Sequence, residues 1–209
     1  MENSLLKKIA FVMISFFCLT LFSQDFSKYD YTSLENYEFQ NFIKDGVAKE
    51  LSGNFYIVDR SNGGKIKSIE IKRYLKGQKV GEWLVFRDLF NGLKLAFVAN
   101  YKRNKLNGYY FESDNHSYSK KGFYKDNMKE GLWKLSENGF LEEIKYSNDV
   151  KSGVYKSTKD RMIVRGQYIN GLKEGVWTTT DSDLGLVLKE TYKKGKLILK
   201  ESIDPFKKK

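Results

Sequence analysis

The sequence predicts an all-β fold, an elongated antiparallel β-meander built of tandem hairpin repeats, and three observations predict it. First, a tyrosine followed three residues later by Gly, Asn or Asp recurs in six regularly spaced units, and five of the six continue into a glycine and an aromatic. The series reads Tyr74–Gly77–Gly81–Trp83, Tyr101–Asn104–Gly108–Tyr110, Tyr124–Asn127–Gly131–Trp133, Tyr146–Asp149–Gly153–Tyr155 and Tyr168–Gly171–Gly175–Trp177, ending in a truncated Tyr192–Gly195. The units recur every 22 to 27 residues, a period that marks a stacked repeat array. Second, from Gly53 onward apolar and polar residues alternate, aromatics are frequent and turn dipeptides such as Asn138-Gly139 separate the runs. Third, the chain of 209 residues holds one proline, so little in it would interrupt a ladder of strands.

Four segments follow in order. Residues 1–23 read as a signal peptide: Lys7 and Lys8 precede a run from Ile9 to Phe22 that is almost wholly apolar and too short to span a membrane comfortably. A retained anchor is the rival reading. Cys18 lies inside this run, and the remaining chain has no cysteine, so an exported domain would be held by hydrogen bonding and burial without disulfides. Residues 24–50 read as an N-terminal capping segment, 51–201 as the repeat array and 202–209 as a basic tail. In that tail Asp204-Pro205-Phe206 and Lys207 to Lys209 discourage further strand addition.

The register of the array can be worked out from its turns. Closing a hairpin on Asn138-Gly139 sets Gly131 opposite Tyr146, and Gly63-Gly64 sets Gly53 opposite Tyr74. Tips at Asp160-Arg161 and Asp183-Leu184 pair Gly153 with Tyr168 and Gly175 with Tyr192. The motif glycine (Gly53, Gly81, Gly108, Gly131, Gly153 or Gly175) is thus expected beside the next tyrosine, its bare α-carbon giving room for the ring. Asn91-Gly92 misses this register by one residue, which predicts a bulge or longer loop. Within each motif a tip at the fourth and fifth residues after tyrosine would oppose Tyr124 to Trp133 and Tyr168 to Trp177.

Period-2 alternation puts the motif glycine and the aromatic two residues on at the same face. One face should therefore carry a row formed by Tyr74, Trp83, Tyr101, Tyr110, Tyr124, Trp133, Tyr146, Tyr155, Tyr168, Trp177 and Tyr192. This row is the candidate binding or stacking site, and two readings stand beside each other: a thin core between repeats, or an open groove for a sugar chain or peptide. On the other face Lys134 should pair with Glu143 in water, whereas Tyr56–Ile71, Val58–Ile69, Leu84–Val98 and Phe86–Ala96 make the first hairpins apolar there. The segment from Phe26 to Ile43, rich in Phe and Tyr, is the expected cover for that patch.

These motifs resemble the bacterial variant of the MORN repeat, in units such as Tyr168-Ile-Asn-Gly-Leu-Lys-Glu-Gly-Val-Trp177, over roughly residues 53–200. The resemblance implies one hairpin per repeat and a binding or scaffold role, and relatives often carry an antitoxin label. Asn104, Asn127 and Asp149 replace the usual glycine, which implies altered tips on intact hairpins.

The composition argues against catalysis. His116 is the only histidine and reads as a turn residue in Asp114-Asn115-His116. Asp181-x-Asp183 lacks the rest of a calcium loop and reads as a turn before Gly185. Glu142 and Glu143 point to opposite faces of a strand. No phosphate loop or serine triad is present. Neither cofactor nor metal is expected, and neither a nucleic acid nor a small-molecule substrate.

The net charge is +11 and mostly lysine, with Lys76, Lys79, Lys129 and Lys173 near turns. Solubility and edge protection explain such charge, and so does attraction to an anionic surface. The sequence therefore predicts an exported, non-catalytic module, periplasmic, cell-surface or secreted, whose partner is a protein or cell-envelope polymer. The alternatives are a toxin-neutralising protein and a peripheral binder of anionic membranes.

Overall fold

The computed structural model describes residues 52–88, 92–203 and 206. The chain divides into two units, residues 1–36 and 37–209, and all described residues belong to the second. The expected signal peptide, the capping segment and the lysines of the tail lie outside the described residues.

Fourteen strands follow in chain order: β1 (Gly53–Arg60), β2 (Ile66–Leu75), β3 (Gln78–Lys79), β4 (Gly81–Asp88), β5 (Leu93–Lys102), β6 (Lys105–Ser113), β7 (Tyr118–Lys125), β8 (Met128–Glu137), β9 (Phe140–Ser147), β10 (Val150–Lys159), β11 (Met162–Ile169), β12 (Leu172–Asp181), β13 (Val187–Lys193) and β14 (Lys196–Ile203). They form one open antiparallel meander in sequence order, with the two-residue β3 pairing only to β2. No helix occurs among the described residues.

The hairpins between repeats have the register expected of them. Gly53, Gly131, Gly153 and Gly175 stand opposite Tyr74, Tyr146, Tyr168 and Tyr192, and Gly81 and Gly108 opposite Tyr101 and Tyr124. The irregularity expected from Asn91-Gly92 is a shift between Val85 and Phe86. It moves Phe86 opposite Leu95 rather than Ala96, so that one expected pair is corrected while Leu84–Val98 stands.

Within the motif the structure corrects the tip. Tyr124 stands opposite Lys129 and Tyr168 opposite Lys173, not opposite Trp133 and Trp177. The tips fall on the second and third residues after tyrosine, both left-handed: Lys76-Gly77, Arg103-Asn104, Asp126-Asn127, Asn148-Asp149, Asn170-Gly171 and Lys194-Gly195, with φ between 49° and 79°. This is the two-residue turn whose twist suits adjacent strands, and Gly, Asn and Asp tolerate it best. The ladder then shifts by two, because Phe123 opposes Glu130 while Lys121 opposes Lys134. Gly131 and Leu132 are the two extra residues on β8, and Gly131 takes a φ of 71° that a side chain would resist.

Successive tips are tied together. The N–H of Asn104, Asn127 and Asp149 donates to the carbonyl of Lys79, Leu106 and Lys129 in the preceding unit, at 2.9–3.0 Å. Their side-chain Oδ1 atoms accept the N–H of the same three residues at 2.7–2.8 Å. Gly171 and Gly195 keep only the backbone half of the contact, to Lys151 and Lys173.

One row across the second face runs Ile71, Leu84, Val98, Phe111, Lys121, Lys134, Glu143, Lys156, Arg165, Thr178 and Lys189. It passes from apolar to charged, as expected, and Lys134 pairs with Glu143 at 2.5 Å. Ile69, Ile71, Leu84, Phe86, Ala96 and Val98 are buried and make the core of that face in β2, β4 and β5. The expected cover, residues 26–43, lies outside the described residues.

Candidate binding face

The other face carries the aromatic row, and its residues alternate in size. Lateral register places Trp83 beside Ala99, Ala99 beside Tyr110, and Tyr110 beside Gly122. Trp133 stands beside Ile144, which is beside Tyr155, which is beside Gly166. Every second strand thus presents Trp or Tyr, and the strand between presents Ala, Gly or Ile. A side chain on Gly122 would overlap the indole of Trp133, and one on Gly166 would overlap that of Trp177.

This corrects where the bare α-carbon lies. The motif glycines Gly131 and Gly175 meet the next tyrosine in register, yet a β-carbon on either would have no neighbour within 4 Å. Their left-handed φ, not a resting ring, calls for glycine. The rings lie instead over Gly122 and Gly166, each two residues before a tyrosine.

Ring contacts join the eleven candidates into three groups. Tyr74, Trp83 and Tyr101 are linked at 5.2 and 4.9 Å. Tyr110, Tyr124, Trp133 and Tyr146 follow, and Tyr155, Tyr168, Trp177 and Tyr192 complete the series. Glycine explains the grouping. Tyr110 reaches Trp133 at 5.9 Å across Gly122, and Tyr155 reaches Trp177 at 5.2 Å across Gly166. Ala99 and Ile144 occupy the corresponding places between groups. The three tryptophans are buried, and the tyrosines are half-buried.

The indole nitrogens report the shift in the ladder. Trp83 Nε1 donates to the Arg73 carbonyl at 3.0 Å and Trp133 Nε1 to the Phe123 carbonyl at 3.1 Å, each acceptor standing where the strands go out of step. Trp177 Nε1 is buried without an acceptor.

Lysines cover the rings, and reasoning from the sequence missed this. The residue five after each motif tyrosine is Lys79, Leu106, Lys129, Lys151, Lys173 or Leu197. The ammonium of Lys79 lies 4.5 Å from the Trp83 ring and 5.3 Å from Tyr101. Lys129 sits between Trp133 and Tyr146, and Lys173 between Trp177 and Tyr192, all at 4.3–5.1 Å, while Lys151 covers Tyr168. Lys120 adds a second cation over Tyr110 and Trp133. Each such contact contributes roughly 0.5–2 kcal/mol according to its exposure. The recurrence of Lys at this position is the signal that marks them, and Lys79, Lys129 and Lys173 are ring covers rather than only turn charges.

Electrostatics follow from this packing. Desolvation raises the phenols of Tyr101, Tyr124, Tyr146, Tyr155 and Tyr168 above their ordinary value. Desolvation, then repulsion from Lys120, holds Lys129 below the ordinary lysine value. An open concavity over Trp133 is bounded by Lys120, Lys129, Leu135, Glu142 and Tyr146.

Of the remaining residues singled out in the sequence, those around His116 and Asp183 fall in turns. Asp114 accepts the N–H groups of His116, Ser117 and Tyr118, which fixes the β6–β7 tip. Asp181 accepts from Asp183 and Leu184 before Gly185. Glu142 lies on the aromatic face and Glu143 on the other, in register with Leu135 and Lys134 respectively. Among the described residues no three His, Cys, Asp or Glu side chains are grouped to hold a metal ion. No protein-family model and no curated protein matches the chain.

Proposed function

We propose that the chain is an exported, non-catalytic β-hairpin repeat protein of the bacterial MORN-variant kind, acting as a binding or scaffold module for a protein or cell-envelope polymer. The observation that carries this reading is the aromatic face itself. Half-buried tyrosines, buried tryptophans and ring-held lysines recur along it strand after strand, giving large contact area on side chains of low conformational entropy. The period of six tyrosine units supports the family assignment, and the apolar run before Ser23 supports export.

Affinity capture from envelope extract tests the reading. The mature chain retains a saturable partner, and Tyr146→Ala with Tyr168→Ala weakens retention while circular dichroism keeps its β signature. Equal retention by both proteins, or none by either, contradicts it.

A further inference from the structure

The lysine row on the aromatic face has a geometry that selects among polymers, and this inference rests on the binding-module reading above. Lys129, Lys151 and Lys173 sit on β8, β10 and β12, and Lys79 lies on β3, beyond the gap that Leu106 leaves on β6. Strands two apart are separated by roughly 9.5 Å, so Lys129, Lys151 and Lys173 offer one cation at that interval.

Each ammonium is held against one or two rings. A lysine fixed this way loses less freedom on meeting an anion than one free in water. Lys120 and, more weakly, Lys151 act against the charge of Lys129, while Asp149 and Glu142 favour it.

The row contains no arginine, whose planar fork suits paired phosphate oxygens, and lysine offers point charges instead. A nucleic-acid strand carries a charge about every 3.4 Å, far denser than this spacing. A polymer with one carboxylate per disaccharide has a sparser charge, and its ring C–H faces suit the tyrosines beside each lysine. We propose that the row Lys79, Lys129, Lys151 and Lys173 binds a linear acidic polysaccharide running across the strands, one carboxylate to each ammonium.

The test uses the mature chain and hyaluronan oligosaccharides of graded length, which carry one carboxylate per disaccharide, followed by calorimetry. Affinity rises with length until the oligosaccharide spans Lys129 to Lys173, roughly 19 Å, and falls as salt rises. Changing Lys79, Lys129, Lys151 and Lys173 to Gln together lowers affinity about tenfold or more, because four linked contacts are lost. Changing Lys67, Lys94, Lys156 and Lys159 to Gln removes the same charge away from the row and leaves affinity within about twofold.

Equal loss in both quadruple variants overturns the proposal, as does affinity independent of length. Tighter binding to vesicles of phosphatidylglycerol and phosphatidylcholine than to the longest oligosaccharide also overturns it and assigns the row to a membrane. Absence of hyaluronan binding in a protein that still captures an envelope partner removes the ligand class and leaves the binding-module reading standing. Circular dichroism and thermal unfolding of each variant confirm that the compared proteins are folded.

Discussion

The indole of Trp133 fills the space above the α-carbon of Gly122 that any larger residue would occupy. Gly166 holds Trp177 in the same way, 44 residues further along the chain, which is two motif periods. This contact lets rings two strands apart touch each other, and it makes the array tight at particular points rather than uniformly.

Gly122→Ala and Gly166→Ala therefore each destabilise the fold by about 1–3 kcal/mol, the usual effect of overpacking. Gly63→Ala is the matched control: its β-carbon would meet only Ser61 Oγ at 4.0 Å, and the change falls within about 0.5 kcal/mol. Urea midpoints of the three variants check this.

The tryptophans are not equivalent. Trp133 donates a hydrogen bond and Trp177 does not, so replacement by Phe costs Trp133 about 1 kcal/mol more than Trp177. Equilibrium unfolding of Trp133→Phe and Trp177→Phe measures the difference. Equal losses would show that the two indoles are satisfied alike.

Tip chemistry separates strain from hydrogen bonding. Asn127 has φ 72° and accepts the Leu106 N–H at 2.7 Å. Asn127→Gly forfeits only the side-chain bond, about 1 kcal/mol, whereas Asn127→Ala adds left-handed strain of roughly 1–2 kcal/mol. Chemical denaturation should rank Asn, then Gly, then Ala.

Asp114 gives a test at acid pH. The backbone N–H of His116, followed by that of Tyr118, holds its carboxyl well below the ordinary 3.8, at about 2. A depressed carboxylate stabilises the fold fully above its unfolded value, and the contribution fades as pH falls from 3.8 towards 2. Side-chain NMR titration of Asp114 should give the low midpoint, and Asp114→Ala should flatten stability across that window.

At alkaline pH the sign reverses. Phenols such as Tyr124 and Tyr146 are raised above 10.0 by desolvation, so their contribution is complete below pH 10 and is lost as pH climbs through the folded values. Melting temperature followed from pH 9 to 12 should fall above pH 10, roughly together with tyrosinate absorbance at 295 nm.

Much of this architecture is legible in the chain because period 2 is unforgiving: once Asn138-Gly139 closes a hairpin, Gly131 must meet Tyr146 and the face of every ring follows. The tip of the tyrosine hairpin is not legible by the same reasoning. Gly131 and Leu132 insert two residues, an even number, so a tip two residues later would leave every ring on the same face. The left-handed pairs Asp126-Asn127 and Asn170-Gly171 are the signal that distinguishes the two placements. Gly122 escapes because it lies outside the motif, two residues before Tyr124. The lysine covers escape for another reason: charge near a turn reads as solubility until the neighbouring rings are seen.

Proton NMR of Lys129 and Lys173 tests the ladder most directly. Their ε-methylene protons should be shifted upfield by the rings and should show cross-peaks to Trp133 and Tyr146, and to Trp177 and Tyr192, respectively. Ordinary lysine shifts without those cross-peaks would mean that the rings and the ammonium groups do not share one face of the sheet.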